Sequence, residues 1–349
     1  MKSARARETL ADWGELRFLD WVRRSFGKDK GGGGNEILLS IGDDAAHLRL
    51  SRSRDIVVTT DALIEDVHFA RSWIGPGDLG RKTLVASLSD LAAMGAMPIA
   101  SFLSLGVPAS TAIAELKAFF RGLCREGRRW SCALAGGDLV RSPQWTINLT
   151  LIGRPGKGGG VIRRSTARPG QTLYVTGFPG QSAAGLAALE RNEPQPTLIA
   201  RHTRPTPRLR EAEALRSICG DLSMIDLSDG IMTDASHVAR ASGVGLEIEV
   251  DALPVSPALK RYARHLGVDP LQWALYGGED YELMFTSRRS AIKIVQAMGR
   301  AGLATRVTAI GRVVASPAAG KSRVSHPVRL LNSDGESLKG PDRSFNHFS

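Results

Sequence analysis

Apolar and polar positions along the chain switch repeatedly between a two-residue and a helical period. A β-branched run at 56–59 predicts a short strand, and Leu84, Leu88 and Leu91 recur at helical spacing to predict a helix over 81–94 that stops at Gly95. A strand at 99–105, a helix at 112–124 through Leu116, Phe119, Phe120 and Leu123, and a strand at 146–152 follow. Ahead of them lies an amphipathic segment carrying Leu10, Trp13, Leu16, Phe18, Leu19 and Val22. In the second half the pattern predicts strands at 173–176, 224–227, 246–250, 282–286 and 306–310, and helices at 182–190, 209–218 and 229–241. No internal repeat is visible. Mixed α and β elements in two units account for the pattern, and the Gly/Pro-rich stretch 153–160 is the best break, placing domains at 1–155 and 161–349.

Composition narrows the class. The chain has 349 residues, 42% hydrophobic and 23% charged, an ordinary globular mixture long enough for about two domains. Its start lacks the apolar core of a secretory signal, and no stretch approaches the ~18–20 apolar residues of a membrane span. Three cysteines, Cys124, Cys132 and Cys219, without CxxC spacing argue against a disulfide scaffold or a cysteine-rich zinc site and suit a reducing cytoplasm. The four glycines 31–34 lack a surrounding GxxxxGK[ST] and read as a flexible surface insertion. A net charge of +11 points to polyanions, nucleic acid or a phosphorylated small molecule. Only 6% of residues are aromatic and none form a stripe interleaved with Lys or Arg, which weighs against nucleic acid.

The placement of the acids carries more information than their number. Asp43 and Asp44, Asp61 after Thr59-Thr60, Asp90 in Leu88-Ser-Asp-Leu91, Asp138 after Gly136-Gly137, and Asp226 and Asp229 in 225–230 each lie in apolar strand or helix contexts beside Gly, Ser or Thr. A buried lone carboxylate costs several kcal/mol unless a cation or donors compensate it. Taken singly, Asp229 also reads as a helix N-cap and Asp138 as a turn residue. Together the acids favour convergence on hard cations, and the absence of His/Cys clusters favours Mg²⁺ over zinc. Carboxylate-held metal in a basic chain suggests phosphoryl transfer, which needs little acid–base work when the acceptor is an anionic phosphate oxygen. Arg163, Arg164, Arg168 and the run 201–210 offer candidate phosphate contacts or a solvated basic loop, and His68 follows the Asp61 strand closely enough to line the same cleft.

The ordered set Ile41-Gly-Asp-Asp-Ala-Ala, Thr59-Thr-Asp-Ala-Leu-Ile-Glu-Asp-Val-His-Phe69, Leu88-Ser-Asp-Leu-Ala-Ala-Met-Gly95, Ile225-Asp-Leu-Ser-Asp-Gly230 and Tyr276-Gly-Gly-Glu-Asp-Tyr-Glu-Leu283 resembles the thiamine-monophosphate kinase family, within the superfamily that includes aminoimidazole ribonucleotide synthetase. The resemblance implies an α/β plus α+β architecture: a two-domain aminoimidazole ribonucleotide synthetase-like fold, with an N-terminal mixed sheet and helices followed by a C-terminal α+β domain. It implies ATP-dependent phosphorylation of thiamine monophosphate to thiamine diphosphate with release of ADP, by a cytoplasmic homodimer that joins through its N-terminal sheets and binds neither nucleic acid nor membrane. Carried over residue by residue, Asp44, Thr59, Thr60, Asp61, Asp90, Asp138, Asp226 and Asp229 would hold several Mg²⁺ ions. Phe120, Gly137, Asp138, Arg164 and Ser228 would contact ATP, and His68, Glu279 and Phe345 would face thiamine monophosphate. The resemblance assigns no side chain as acid, base or nucleophile.

Three positions depart from the family pattern: Asp66 stands for a usual Gly, Leu139 for a usual Thr, and Gln181 for a usual Asp. Rival activities in the superfamily lack their marks here. Selenophosphate synthetase would show a reactive cysteine before Cys124, and the hydrogenase-maturation relative uses a C-terminal cysteine where this chain reads Asn346-His-Phe-Ser349. Aminoimidazole ribonucleotide synthetase fits the fold but not the 59–69 and 276–283 strings.

Overall fold

The computed structural model describes residues 8–13, 15–26, 37–39, 47–48, 55–158, 160–316 and 327–338. Asp44, Phe345 and the glycines 31–34 lie outside the described residues. The chain separates into two compact units, Met1–Leu91 with Ala96–Pro155, and Ala92–Gly95 with Gly156–Ser349.

Unit 1 begins with α1 (Leu10–Trp13), α2 (Glu15–Phe26) and a two-stranded ribbon of β1 (Ile37–Leu39) and β2 (His47–Leu48). It continues through β3 (Val57–Ile64), α3 (Pro76–Ala93), β4 (Ala96–Val107), α4 (Ile113–Trp130), β5 (Ala133–Arg141) and β6 (Thr146–Pro155). Four of these strands form a sheet in the order β3-β6-β4-β5, in which only the β4–β5 pair is parallel, as the crossover through α4 requires. Burial alternates along β3: Val57 and Leu63 are buried while Val58, Thr60 and Ala62 are exposed. One face therefore meets the core and the other is uncovered. Residues 82–89 of α3 are all buried, so this helix has almost no solvent face. The aromatic rings of Phe18, Phe26, Phe119, Phe120 and Trp145 pack in succession and tie α2 to α4.

Unit 2 contains β7 (Thr172–Thr176), α5 (Gln181–Glu190), α6 (Pro196–Thr203), α7 (Leu209–Ile218), β8 (Ser223–Asp226), α8 (Ile231–Ser242), β9 (Val244–Glu249), α9 (Pro257–Leu266), α10 (Pro270–Tyr276), β10 (Leu283–Ser287), α11 (Ala291–Arg300), β11 (Val307–Ala315), β12 (Val328–Leu331) and β13 (Ser337–Leu338). Its sheet runs β13-β12-β9-β11-β7-β10-β8, antiparallel throughout except between β12 and β9. Apolar residues of β7 to β12 and of α8, among them Val175, Ile231, Val238, Ile248, Met284 and Ile310, build its main core. A satellite core of Ala184, Ala188, Leu198, Leu259 and Tyr262 binds α5, α6 and α9 together.

Two alternative local readings are excluded. Asp138 is no turn residue: Gly136, Gly137 and Asp138 lie inside β5, paired with Phe102, Leu103 and Ser104 of β4. Glycine is normally disfavoured in strands, but a Cβ on Gly137 would stand 1.9 Å from the Leu103 carbonyl oxygen, and its φ of +152 suits glycine. Asp229 does not cap α8, whose N-cap is Gly230 with no side-chain bond. All three cysteines are free and buried. No helix among the described residues is long and apolar enough to cross a membrane.

Candidate active site

In unit 1 the β3 register decides which acids meet. Thr59 and Asp61 point to the core-facing side of the sheet, where the Thr59 hydroxyl donates to Asp90 Oδ2 on α3. Asp61 lies on the same side, and its Oδ2 is buried with no hydrogen-bond partner. Desolvation pushes the Asp61 carboxyl above the ordinary carboxylate range, and Ser87 on α3 opposes that shift. A buried, unsatisfied carboxylate oxygen on the sheet face where Thr59 bonds Asp90 offers hard oxygen donors, and their chemistry fits Mg²⁺.

Thr60 and Asp138 are not part of that group. Thr60 Oγ1 lies 3.1 Å from both Asn148 Oδ1 and Thr150 Oγ1, on the uncovered face. Asp138 shares a cross-sheet row with Ser104, Asn148 and Ala62, all exposed, and accepts from the Leu139 amide at 2.9 Å. Three strand spacings separate β3 from β5, about 14 Å at ~4.8 Å each. The buried Leu139 faces the core, which suits its apolar side chain.

The nucleotide candidates are spread likewise. Phe120 is 5% exposed, its ring 5.5 Å from Phe18 and 6.5 Å from Phe26, so the aromatics of α2 occupy its surroundings. Gly137 lies on β5 beside Asp138, and replacing it with alanine is expected to force the strand away from Leu103. Urea unfolding of Gly137→Ala should show a loss of about 1–3 kcal/mol, with ATP use impaired. His68 sits in the turn after β3, where its Nδ1 accepts from the Ile64 amide at 3.1 Å. The Asp66 beside it has φ +64, the left-handed conformation that a glycine adopts freely and Asp tolerates.

Unit 2 holds the second group of acids. Asp226, 7% exposed, ends β8 opposite Leu283 of β10. The chain then passes through Ser228 and Asp229 to Gly230, whose φ of +100 turns it into α8. Asp234, one turn into α8 and 2% exposed, accepts from the Asp229 amide at 3.2 Å through Oδ2. Burial, and then the charges of Asp226 and Asp229, push Asp234 up to about 8. Ligand atoms of Asp229, Asp234 and His237 lie within 4.8 Å of one another. None of the sequence motifs singles out Asp234, although it sits among apolar neighbours on its helix much as Asp90 does.

The segment joining α10 to β10 is latched onto this loop. Glu279 N donates to Ser228 O at 2.8 Å and Tyr281 N to Leu227 O at 2.9 Å, while Glu279 and Tyr281 hold φ values of +62 and +52. Between them Asp280 accepts from the Gly180 amide through Oδ2 at 2.5 Å and from the Ser182 amide through Oδ1 at 3.0 Å, taking over the N-terminus of α5. Desolvation pushes Asp280 up to about 7 despite those two amides. This long-range cap explains how Gln181 can stand at the start of α5 in place of an acid. Arg164 is exposed, its carbonyl held by the hydroxyls of Ser223 and Ser242 at 3.0 and 2.9 Å, so its side chain is presented from an anchored turn. Within the basic run 201–210, Arg208 is not a phosphate contact: its guanidinium is buried against Glu282 and Glu211.

Residues 42–154 match the AIR synthase related protein N-terminal domain, and residues 168–321 the AIR synthase related protein C-terminal domain. The thiamine-monophosphate kinase of Salmonella typhimurium is 41% identical over 292 residues, 80% of this chain and 85% of that protein. The crystal structure of thiamine-monophosphate kinase from Stenotrophomonas maltophilia superposes with a TM-score of 0.77 at 32% identity, covering 93% of this chain and 98% of that one. A structure of AaThiL complexed with AMPPCP and TMP gives a TM-score of 0.68 at 29% identity, over 94% of this chain and 96% of that one. With both AIR synthase-type domains in order and this identity to its relatives, the chain belongs to the thiamine-monophosphate kinase family.

Proposed function

We propose that the protein transfers the γ-phosphoryl group of ATP to thiamine monophosphate, giving thiamine diphosphate and ADP. The likeness over 94% of the chain to a structure holding AMPPCP and TMP together is the observation that carries this reading. An oxygen of the acceptor phosphate attacks the γ-phosphorus in line. The bond from that phosphorus to the β,γ-bridging oxygen breaks, and its electron pair leaves with ADP. The attacking oxygen is already anionic, so no protein base is needed and none of the site residues is assigned that task.

Mg²⁺, when bound, supplies charge neutralisation between adjacent phosphates. We assign Thr59, Asp61 and Asp90 as Mg²⁺ ligands within unit 1, with Asp44 from the sequence pattern, and Asp226 and Asp229 as Mg²⁺ ligands within unit 2. Gly137, Asp138, Arg164, Ser228 and Phe120 are assigned to ATP, and His68, Glu279 and Phe345 to the acceptor. With ATP and thiamine monophosphate supplied, ADP should appear only when both the acceptor and Mg²⁺ are present. ADP formation unaffected by omitting thiamine monophosphate would overturn the assignment.

Thr60 and Asp138 enter this scheme through a homodimer working in the cytoplasm. They lie on the uncovered face of the four-stranded sheet, which also exposes Val58 by 55% and Val140 by 47%. A second copy docked there covers the apolar residues and brings Thr60 and Asp138 to the interface, where they can complete a shared site. Val58→Asp is expected to shift the protein from dimer to monomer in sedimentation velocity and to lower kcat at least tenfold. A wild-type protein that sediments as a monomer while fully active would refute the dimer.

A further inference from the structure

Glu279 lies beside a side chain from a distant helix. His202, in the last turn of α6, is 5% exposed, and its Nδ1 lies 3.4 Å from Glu279 Oε2 and 3.1 Å from Ser182 Oγ. Ser182 belongs to the first turn of α5, and its amide donates to Asp280, the residue after Glu279. A closed ring results: Glu279 is bonded to Asp280 by the chain, Asp280 to Ser182, Ser182 to His202, and His202 back to Glu279.

The chemistry of Nδ1 sets the sense of these contacts. An ionised Glu279 facing the lone pair of an unprotonated Nδ1 would be repelled, whereas an Nδ1–H can be shared between the Glu279 carboxylate and the Ser182 oxygen. The arrangement therefore calls for a proton on Nδ1, and the carboxylate oxygen facing it is Glu279 Oε2. Backbone geometry points the same way. Two non-glycine residues with positive φ, Glu279 and Tyr281, flank Asp280, and such conformations persist where the surroundings over-determine them. The bonds to Ser228, Leu227, Gly180 and Ser182 hold the main chain, and His202 Nδ1 stands 3.4 Å from the side chain.

We propose that His202 is a positioning residue for the acceptor, fixing the Glu279 carboxylate through its Nδ1–H so that Glu279 meets thiamine monophosphate in one orientation. The proposal rests on the reading of Glu279 as an acceptor residue. It requires that His202 affect the acceptor and leave the nucleotide alone.

A double-mutant cycle on the full-length protein tests it, with KM measured separately for thiamine monophosphate and ATP. His202→Leu should raise KM for thiamine monophosphate about tenfold and change KM for ATP less than twofold. His202→Asn, which keeps an N–H donor near the place of Nδ1, should recover most of the loss. Glu279→Gln should raise the same KM, and adding His202→Leu to it should cost little more, because the two side chains act through one contact. Should Glu279→Gln weaken acceptor use while His202→Leu does not, the positioning role is overturned and the reading of Glu279 stands. No effect from Glu279→Gln itself would remove that reading and the proposal with it. A loss in His202→Leu that falls equally on both substrates, tracks a lowered melting temperature and is not rescued by Asn would make His202 merely structural and also overturn the proposal.

Discussion

Replacing Asp61 with Asn is expected to lower kcat for thiamine diphosphate formation by about 100- to 1,000-fold, the scale on which removing one preorganised charge-stabilising group is felt. The same substitution should not weaken the metal-free protein. Asp61 Oδ2 is buried without a partner, and desolvation already disfavours its charge, so a neutral amide removes a cost. In EDTA the melting temperature of Asp61→Asn should equal or exceed that of the wild type. Added Mg²⁺ at about 100 times its Kd should stabilise the wild type by ~2.7 kcal/mol and the variant by much less. Stability and activity thus move in opposite directions, a pattern that loss of a purely structural residue does not produce. A variant with near-wild-type kcat would remove Asp61 from the metal site.

Arg208→Met is expected to have the largest effect on stability. The guanidinium donates from Nε to Glu282 Oε2 at 2.7 Å and from Nη1 to Glu211 Oε1 at 3.3 Å, with side chains only 13%, 8% and 6% exposed for Arg208, Glu282 and Glu211. Thr176 also donates to Glu282, at 2.6 Å, and Thr305 to Glu211, at 2.5 Å. Removing the cation leaves two buried carboxylates uncompensated, a loss of about 3–5 kcal/mol. For a unit of this size, that corresponds to a fall in melting temperature on the order of 10 °C. Adding Glu282→Gln and Glu211→Gln should restore part of it, because the stranded charges are then gone. If Arg208→Met instead kept its melting temperature and lost ATP affinity, Arg208 would be a phosphate contact after all.

These two residues mark where sequence reading succeeds and where it stops. Asp61 and Asp90 stand out because a carboxylate in an apolar strand or helix is anomalous wherever the chain folds, and α7 is legible to its ends because Pro205 and Pro207 precede an uninterrupted helical period. The grouping of the acids is not legible. Thr59 and Thr60 are neighbours in sequence but lie on opposite faces of β3, and the pairing with β6 decides which of them meets Asp90. Strand β5 is hidden because its two central glycines carry no strand signal; the reason for Gly137 is a carbonyl on another strand. Arg208 looked like part of a basic loop because its partner Glu282 lies 74 residues away. The same holds for His202, whose neighbours Ser182 and Glu279 come together only when α5, α6 and the segment before β10 are in place.

The central claim is tested most directly by following ATP labelled in its γ-phosphate, with Mg²⁺ and either thiamine monophosphate or unphosphorylated thiamine as acceptor. Label should appear in thiamine diphosphate, one equivalent for each ADP formed, with no product from thiamine. Label recovered only as inorganic phosphate, or transferred to thiamine in preference to its monophosphate, would contradict the account.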